Sequence, residues 1–185
     1  GNPNKFLEAI LQHFSRLKDE DILPDDYIEF VKTNKEIKKD KDEYRKYVEL
    51  SFAFRTYEQL KAKEGVMDFS DLISNTLKLF RTRKNILRQY QEMFIYILVD
   101  EFQDTNWSQY ELIKLLAEPN NNLTVCADDD QAIYRWRGAS FSNIIKFQED
   151  FAEAKQVSLI KNYRATQNIL DKSYNFIKQN DPDRL

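Results

Sequence analysis

The 185 residues are 42% hydrophobic and 14% aromatic, enough apolar side chain to bury a core and to exclude disorder as the default. Charged residues make up 32% yet sum to only −3, which excludes a grip on nucleic acid by bulk positive charge while leaving room for a narrow track of rings and arginines. The lone Cys126 excludes an internal disulfide and suits a reducing cytosol, and no apolar run reaches the roughly 18 residues a membrane span needs.

The length fits one domain, or one domain with a small subdomain. No signal-peptide pattern opens the chain, and its first residue is Gly1 rather than Met, so the expectation is a chain that begins mid-protein or after a processed tag. Phe6, Leu7, Ile10, Leu11, Phe14 and Leu17 recur every three or four residues and predict an amphipathic helix. Pro24 and Asp25 open a short second helix through Val31. A longer one spans Asp42 to Lys63, with Tyr47, Leu50, Phe54 and Tyr57 on one face and Gly65 as its cap. Asp68 is placed to cap the next helix, whose Leu72, Ile73, Leu77 and Phe80 point inward. Arg81 to Arg88 is locally basic.

Near Ile95 the period changes. Ile95 to Val99 is a short, continuous apolar run rich in β-branched residues, the pattern of a strand buried on both faces. A helix follows from Trp107 to Ala117 and is ended by Pro119 and three asparagines. Further strands are predicted at Leu123 to Ala127 and Val157 to Ile160, and further helices at Phe141 to Phe151 and Gln167 to Lys178. Strands alternating with helices predict a helix-rich α/β fold with a parallel sheet. The division expected is a mainly helical region over 1–90 and an α/β region over 91–185.

Chemistry concentrates in the second region. Asp100 and Glu101 follow the Ile95–Val99 run, at the strand end where open parallel sheets bind ligands. One carboxylate there can hold Mg²⁺ while the other orients or deprotonates a water. The same pair alone also suits an ordinary soluble loop start. Next comes CADDDQAIYRWRGA, residues 126–139. Here Gln131 offers donor and acceptor to a phosphate or a water. Tyr134 and Trp136 alternate with arginines, which suits base stacking with phosphate contact as well as core rings beside surface charge. Asn162-Tyr163-Arg164 offers a ring for a purine and a guanidinium for a phosphate, though a tripeptide alone is usually structural. His13 has no partner ligand and reads as a surface or core residue. Cys126 reads as a small buried one. The lysine-rich stretch from Lys32 to Lys46 is broken by acids and reads as a solvated face. Glycine is scarce: Gly1, Gly65 and Gly138 cannot compose the Gly-rich loop whose bare backbone cradles phosphates.

Three ordered blocks, DEFQDTN, DDDQAIYRWRGA and NYRATQNIL, together resemble motifs II, III and IV of the superfamily 1 UvrD/Rep/PcrA DNA helicases. The segment from Met67 to Ile73 resembles the same family's DFxDLI block. The resemblance covers residues 65–180 and implies a partial RecA-like P-loop NTPase sheet with an inserted all-helical subdomain. It implies ATP and Mg²⁺ as cofactors, with Asp100 the Mg²⁺-associated carboxylate and Glu101, beside it in the metal pair, the catalytic base. Gln131 resembles the γ-phosphate sensor that couples to DNA. Tyr163 resembles the adenine-stacking ring, and Arg164 the arginine on the γ-phosphate. Phe69, Tyr134, Trp136 and Arg137 resemble residues along the single-stranded DNA path. Two departures are small: Cys126-Ala127 stands where Val-Gly is usual, and Ala132 where Ser is usual.

The resemblance implies an ATP-dependent 3′-to-5′ translocating helicase of the cytoplasm, acting on single-stranded DNA or a single-strand/duplex junction, as in DNA repair. The partners implied are the rest of its own chain, the P-loop segment and second motor domain, and no membrane. This sequence would be the piece between motifs Ia and V, inactive by itself, its partial sheet keeping an apolar flank for another segment. Two other readings stay open: the motor of a RecB/AddA-like helicase–nuclease, and a truncated protein that binds DNA or a partner without catalysis.

Overall fold

A computed structural model describes residues 3–131 and 142–180. The fold is helix-rich α/β, with a small parallel sheet and a large helical portion, as a partial RecA-like domain with a helical insert requires. Two compact units are present, one made of Gly1–Ile97 and Asn106–Leu123, the other of Leu98–Thr105 and Thr124–Leu185. Among the described residues no helix is long and apolar enough to cross a membrane.

Among the described residues the first unit holds six α-helices: α1 (Pro3–Asp19), α2 (Pro24–Thr33), α3 (Lys41–Glu64), α4 (Phe69–Thr82), α5 (Lys84–Met93) and α6 (Trp107–Ala117). The apolar stripe of α1 sets Phe14 against Phe54 of α3, stacked with centroids 4.8 Å apart. Tyr27 and Val31 of α2 complete this buried cluster. Each such side chain contributes roughly 1.5–3 kcal/mol on leaving water. His13 is half-buried beside it, its Nε2 3.0 Å from the Tyr27 hydroxyl.

The helix ends are written in short polar signals. Asp40 accepts the Asp42 and Glu43 amides at the start of α3. Gly65 closes that helix at φ 67°, a left-handed conformation that carries no penalty without a Cβ. Asp68 caps α4 reciprocally with Asp71, and Asn106 caps α6 reciprocally with Gln109. Asn106 Nδ2 also donates to Asp19 Oδ1 at 2.8 Å, and the Ser108 hydroxyl donates to the Lys18 carbonyl. Arg81 reaches Asp21 at 2.6 Å and Glu111 at 3.5 Å, so α4 and α6 are tied to the end of α1.

Strands β1 (Ile97–Val99) and β2 (Leu123–Val125) pair in parallel, with Ile97 N donating to Asn122 O at 2.9 Å and Cys126 N to Val99 O at 2.8 Å. The second unit continues with α7 (Ser142–Asp150) and α8 (Gln167–Ile177). Phe102, fully buried, meets Phe147 of α7 edge-on at 5.6 Å.

Several expectations are corrected, among them that Leu72 of α4 points inward, since it is 53% exposed. β1 is shorter than Ile95–Val99 and is not buried on both faces, since Leu98 is 79% exposed. Among the described residues the sheet has two strands, β1 beside β2. Val157 to Ile160 forms no strand among the described residues and its side chains are exposed: β-branched residues favour extension, but a ladder needs a neighbouring backbone. Cys126 lies just past the end of β2 and is exposed rather than buried. The basic stretch after Arg81 contains α5, whose Leu87 is buried. The helix expected from Phe141 begins, within the described residues, at Ser142.

Candidate functional site

Asp100 and Glu101 leave the carboxyl end of β1, where the backbone turns sharply and Glu101 takes φ 51°, ψ 42°. A left-handed glutamate costs about 1–3 kcal/mol, so neighbouring contacts must hold it. Several do. Asp100 Oδ1 accepts the Glu101 amide at 3.0 Å. Glu101 Oε2 accepts from Gln103 Nε2 at 2.6 Å. Phe102 N donates to Cys126 O at 2.9 Å, stitching the turn after β1 to the end of β2. Both carboxylates are exposed, whereas Gln103 is 1% exposed.

The second turn is organised by Asp128. Its amide donates to Gln103 Oε1 at 3.1 Å, and its Oδ2 accepts from Gln131 Nε2 at 2.5 Å. Its Oδ1 accepts the Asp130 amide at 3.1 Å, and its carbonyl the Gln131 amide at 3.1 Å. Glu101 and Gln131, assigned to catalysis and phosphate sensing by resemblance, are thereby joined through Gln103 and Asp128. Tyr134, Trp136 and Arg137 lie outside the described residues. Two buried acceptors nearby, Asp104 Oδ1 and Asn143 Oδ1, have no hydrogen-bond partner among the described residues.

Asn162 turns the chain ahead of α8, its Oδ1 accepting the amides of Arg164 and Ala165, each at 2.9 Å. Tyr163 and Arg164 are exposed, and the Lys161 ammonium sits 5.0 Å from the Tyr163 ring centroid. Tyr163 is 85% exposed, and its ring face attracts positive charge. Phe69, at the start of α4, is 92% exposed and packs into no core.

The residues present fit part of a nucleotide site. Asp100 is an exposed hard-oxygen donor whose other oxygen makes no hydrogen bond among the described residues, which suits a divalent magnesium ion. Tyr163 and Arg164 suit a base and a phosphate. A phosphate cradle is a different matter: Gly65 caps α3, and no glycine-rich loop exists in the chain.

A buried ionic cluster that sequence reasoning missed lies in the first unit. Glu58, Asp68 and Asp71 bring carboxylate oxygens within 4.8 Å of one another, a spacing that could hold a metal. Two ammonium groups occupy the centre instead. Lys18 Nζ lies 2.8 Å from Asp68 and 2.9 Å from Asp71, and Lys61 Nζ 2.7 Å from Glu58 and 2.7 Å from Asp71. The signal was a lysine where an apolar stripe should continue: Lys18 follows Phe14 by four positions, and Lys61 follows Tyr57 by four. Burial opposes ionisation of Asp68 and Asp71, yet hydrogen bonds from Lys18 and Lys61 outweigh it and hold both below the usual carboxylate range. The cluster is a buried ion network that fastens α1, α3 and α4.

Comparison with known proteins matches residues 2–152 to the UvrD/REP helicase N-terminal domain. The chain is 40% identical over 178 residues to the ATP-dependent DNA helicase PcrA of Staphylococcus epidermidis, covering 96% of the chain and 22% of that protein. It is 39% identical to the ATP-dependent DNA helicase PcrA of Staphylococcus aureus, over the same shares of each chain. It therefore spans about a fifth of the relatives it matches. Together with the carboxylate pair after β1 and the glutamine turn after β2, the match establishes that the chain belongs to the UvrD/REP helicase N-terminal domain family.

Proposed function

We propose that this chain is part of the first motor domain of an ATP-dependent DNA helicase that moves 3′ to 5′ along single-stranded DNA. Residues 1–90 would be the helical insert and 91–185 the partial ATPase domain. The observation that carries the reading is the bonding of Glu101 through Gln103 to the Asp128–Gln131 turn. It joins a carboxylate suited to proton abstraction with a glutamine suited to sensing a phosphate.

Magnesium-bound ATP, when present, supplies the electrophilic phosphoryl group, with Asp100 the residue on this chain to hold the metal. The rest is done by side chains. Glu101 accepts a proton from the attacking water. Gln131 donates to, or accepts from, the group that marks the nucleotide state. Tyr163 stacks on the base and Arg164 faces phosphate charge. Phe69, Tyr134, Trp136 and Arg137 form the DNA track, where stacking compensates for the net charge of −3. The remaining motor, including its phosphate cradle, comes from the rest of the protein.

The test is Glu101→Gln in the full-length protein. Single-stranded DNA should stimulate ATP turnover by the wild type. The amide should preserve nucleotide binding while lowering turnover by about 10²- to 10⁴-fold, because it cannot take the proton. Lost ATP affinity with near-normal residual turnover would make Glu101 structural and overturn the reading.

A further inference from the structure

Gln103 links the two turns but has been given no role in the hydrolytic step, and its surroundings are unusual for a loop glutamine. It is 1% exposed, and both ends of its amide are committed. Nε2 donates to Glu101 Oε2 at 2.6 Å, and Oε1 accepts the Asp128 amide at 3.1 Å. Only one orientation of the amide satisfies both contacts, since a carboxylate cannot donate and a backbone N–H cannot accept. The side chain is locked from both directions.

We propose that Gln103 is a positioning residue for the hydrolytic step: it aims the Glu101 carboxylate and ties its position to the Asp128–Gln131 turn. This rests on the function proposed above. Glu101 sits in a left-handed conformation on an exposed turn, so its side chain has little packing to orient it. The Gln103 amide supplies a fixed donor on one oxygen, leaving the other free to take a proton. The opposite end of that amide holds the Asp128 backbone, whose carboxylate in turn accepts from Gln131 at 2.5 Å. A shift of Gln131 when it meets its ligand therefore displaces Asp128 and, through Gln103, the base. A glutamine that merely satisfied a buried loop would hold the fold equally well but would not transmit that shift.

The experiment uses the full-length protein, with Gln103→Met, which keeps length and volume but neither hydrogen bond, and Gln103→Glu, which keeps an acceptor for Asp128 but sets a second carboxyl against Glu101. ATP turnover is measured with and without single-stranded DNA, across pH, alongside amide hydrogen exchange. Gln103→Met should lower kcat at least about tenfold with KM for ATP within about threefold, as expected when an aligned base is lost. Its stimulation by DNA should fall toward unity. The Asp128 amide should exchange faster, while the Cys126 amide, bonded to Val99 O at 2.8 Å, should not. Gln103→Glu should move the acidic limb of the kcat profile to higher pH, because like charges side by side raise the carboxylate that must be ionised. A Gln103→Met protein with wild-type kcat and DNA stimulation overturns the proposal. So does one with lowered kcat but an unshifted limb in Gln103→Glu and an unchanged Asp128 amide, since that pattern is general loosening. A wild-type protein without DNA-stimulated turnover sinks the proposed function before any variant is measured, and the positioning role falls with it.

Discussion

Lys61 Nζ lies 2.7 Å from Asp71 Oδ2, and the side chains are only 8% and 4% exposed. A buried pair of this kind adds little net stability over an apolar pair, but breaking it from one side strands a charge. Lys61→Met should cost about 3–5 kcal/mol of unfolding free energy, because Glu58, Asp68 and Asp71 would then share Lys18 alone. The Lys39–Glu36 pair is the control, at 70% and 77% exposure. Lys39→Ala should change stability by no more than about 1 kcal/mol. Urea unfolding of both variants decides; equal effects would mean that the buried network is not holding the helices.

The same network dictates an acid response. Asp68 and Asp71 are held below their ordinary value of 3.8 by Lys18 and Lys61 against the pull of burial. In this range the unfolded chain binds more protons than the folded one, so their contribution is present above about pH 4 and drains away as pH falls further. Asp71→Asn should flatten that acid decline and lower stability at neutral pH. Thermal melts from pH 7 down to pH 3 would show it, and an unchanged slope would count against the assignment.

Asp19 has the opposite sign. Burial, and then the neighbouring Glu20 charge, push it up to about 6. It is also the last residue of α1, where the helix dipole disfavours a negative charge. Between pH 4 and 6 the folded chain binds the extra proton, so this group costs stability as pH rises through about 6. Asp19→Asn keeps the oxygen that accepts from Asn106 Nδ2. It should raise the melting temperature by about 2–4 °C at pH 7.5 and by nothing at pH 4. A fall in Tm at pH 7.5 would show that the charge itself is needed.

The legible parts of this molecule were those governed by neighbours in the sequence. The helix read from Phe6 to Leu17, the Gly65 cap and the Asp68 cap are local, and each stands as expected, although Phe6, Leu7 and Leu11 of that helix are exposed. Residues 157–160 failed because a strand is a relation between two backbones, and β-branched residues state only half of it. The carboxylates at Asp100 and Glu101 were visible as a motif, but the roles assigned to them come from resemblance and await the tests above. What holds them was not visible. The bond from Gln103 to the Asp128 amide needs the turn after β2 folded back on the turn after β1, across 25 positions of sequence. Lys18 and Lys61 are the instructive omission: a lysine on an apolar face reads as an interruption until its carboxylates are brought to it.

Phe69 offers the cleanest separation of binding from folding. It is 92% exposed at the first residue of α4, so truncating it removes no core contact. Asp68 and Asp71, which cap that helix, are untouched by the change. If Phe69 belongs to the DNA track, Phe69→Ala in the full-length protein should weaken single-stranded DNA binding by roughly 5- to 150-fold, the worth of one stacked base at about 1–3 kcal/mol. Its unfolding midpoint should stay within about a degree of the wild type, since exposed substitutions stay within about 0.5 kcal/mol. Leu77, eight positions along the same helix and fully buried, is the counterpart. Leu77→Ala should cost about 2–5 kcal/mol of stability while leaving the affinity of the still-folded protein intact. DNA titration and thermal unfolding of the two variants give four numbers that must cross. Normal DNA affinity in Phe69→Ala would remove this ring from the track and leave the carboxylate pair and its glutamine link standing.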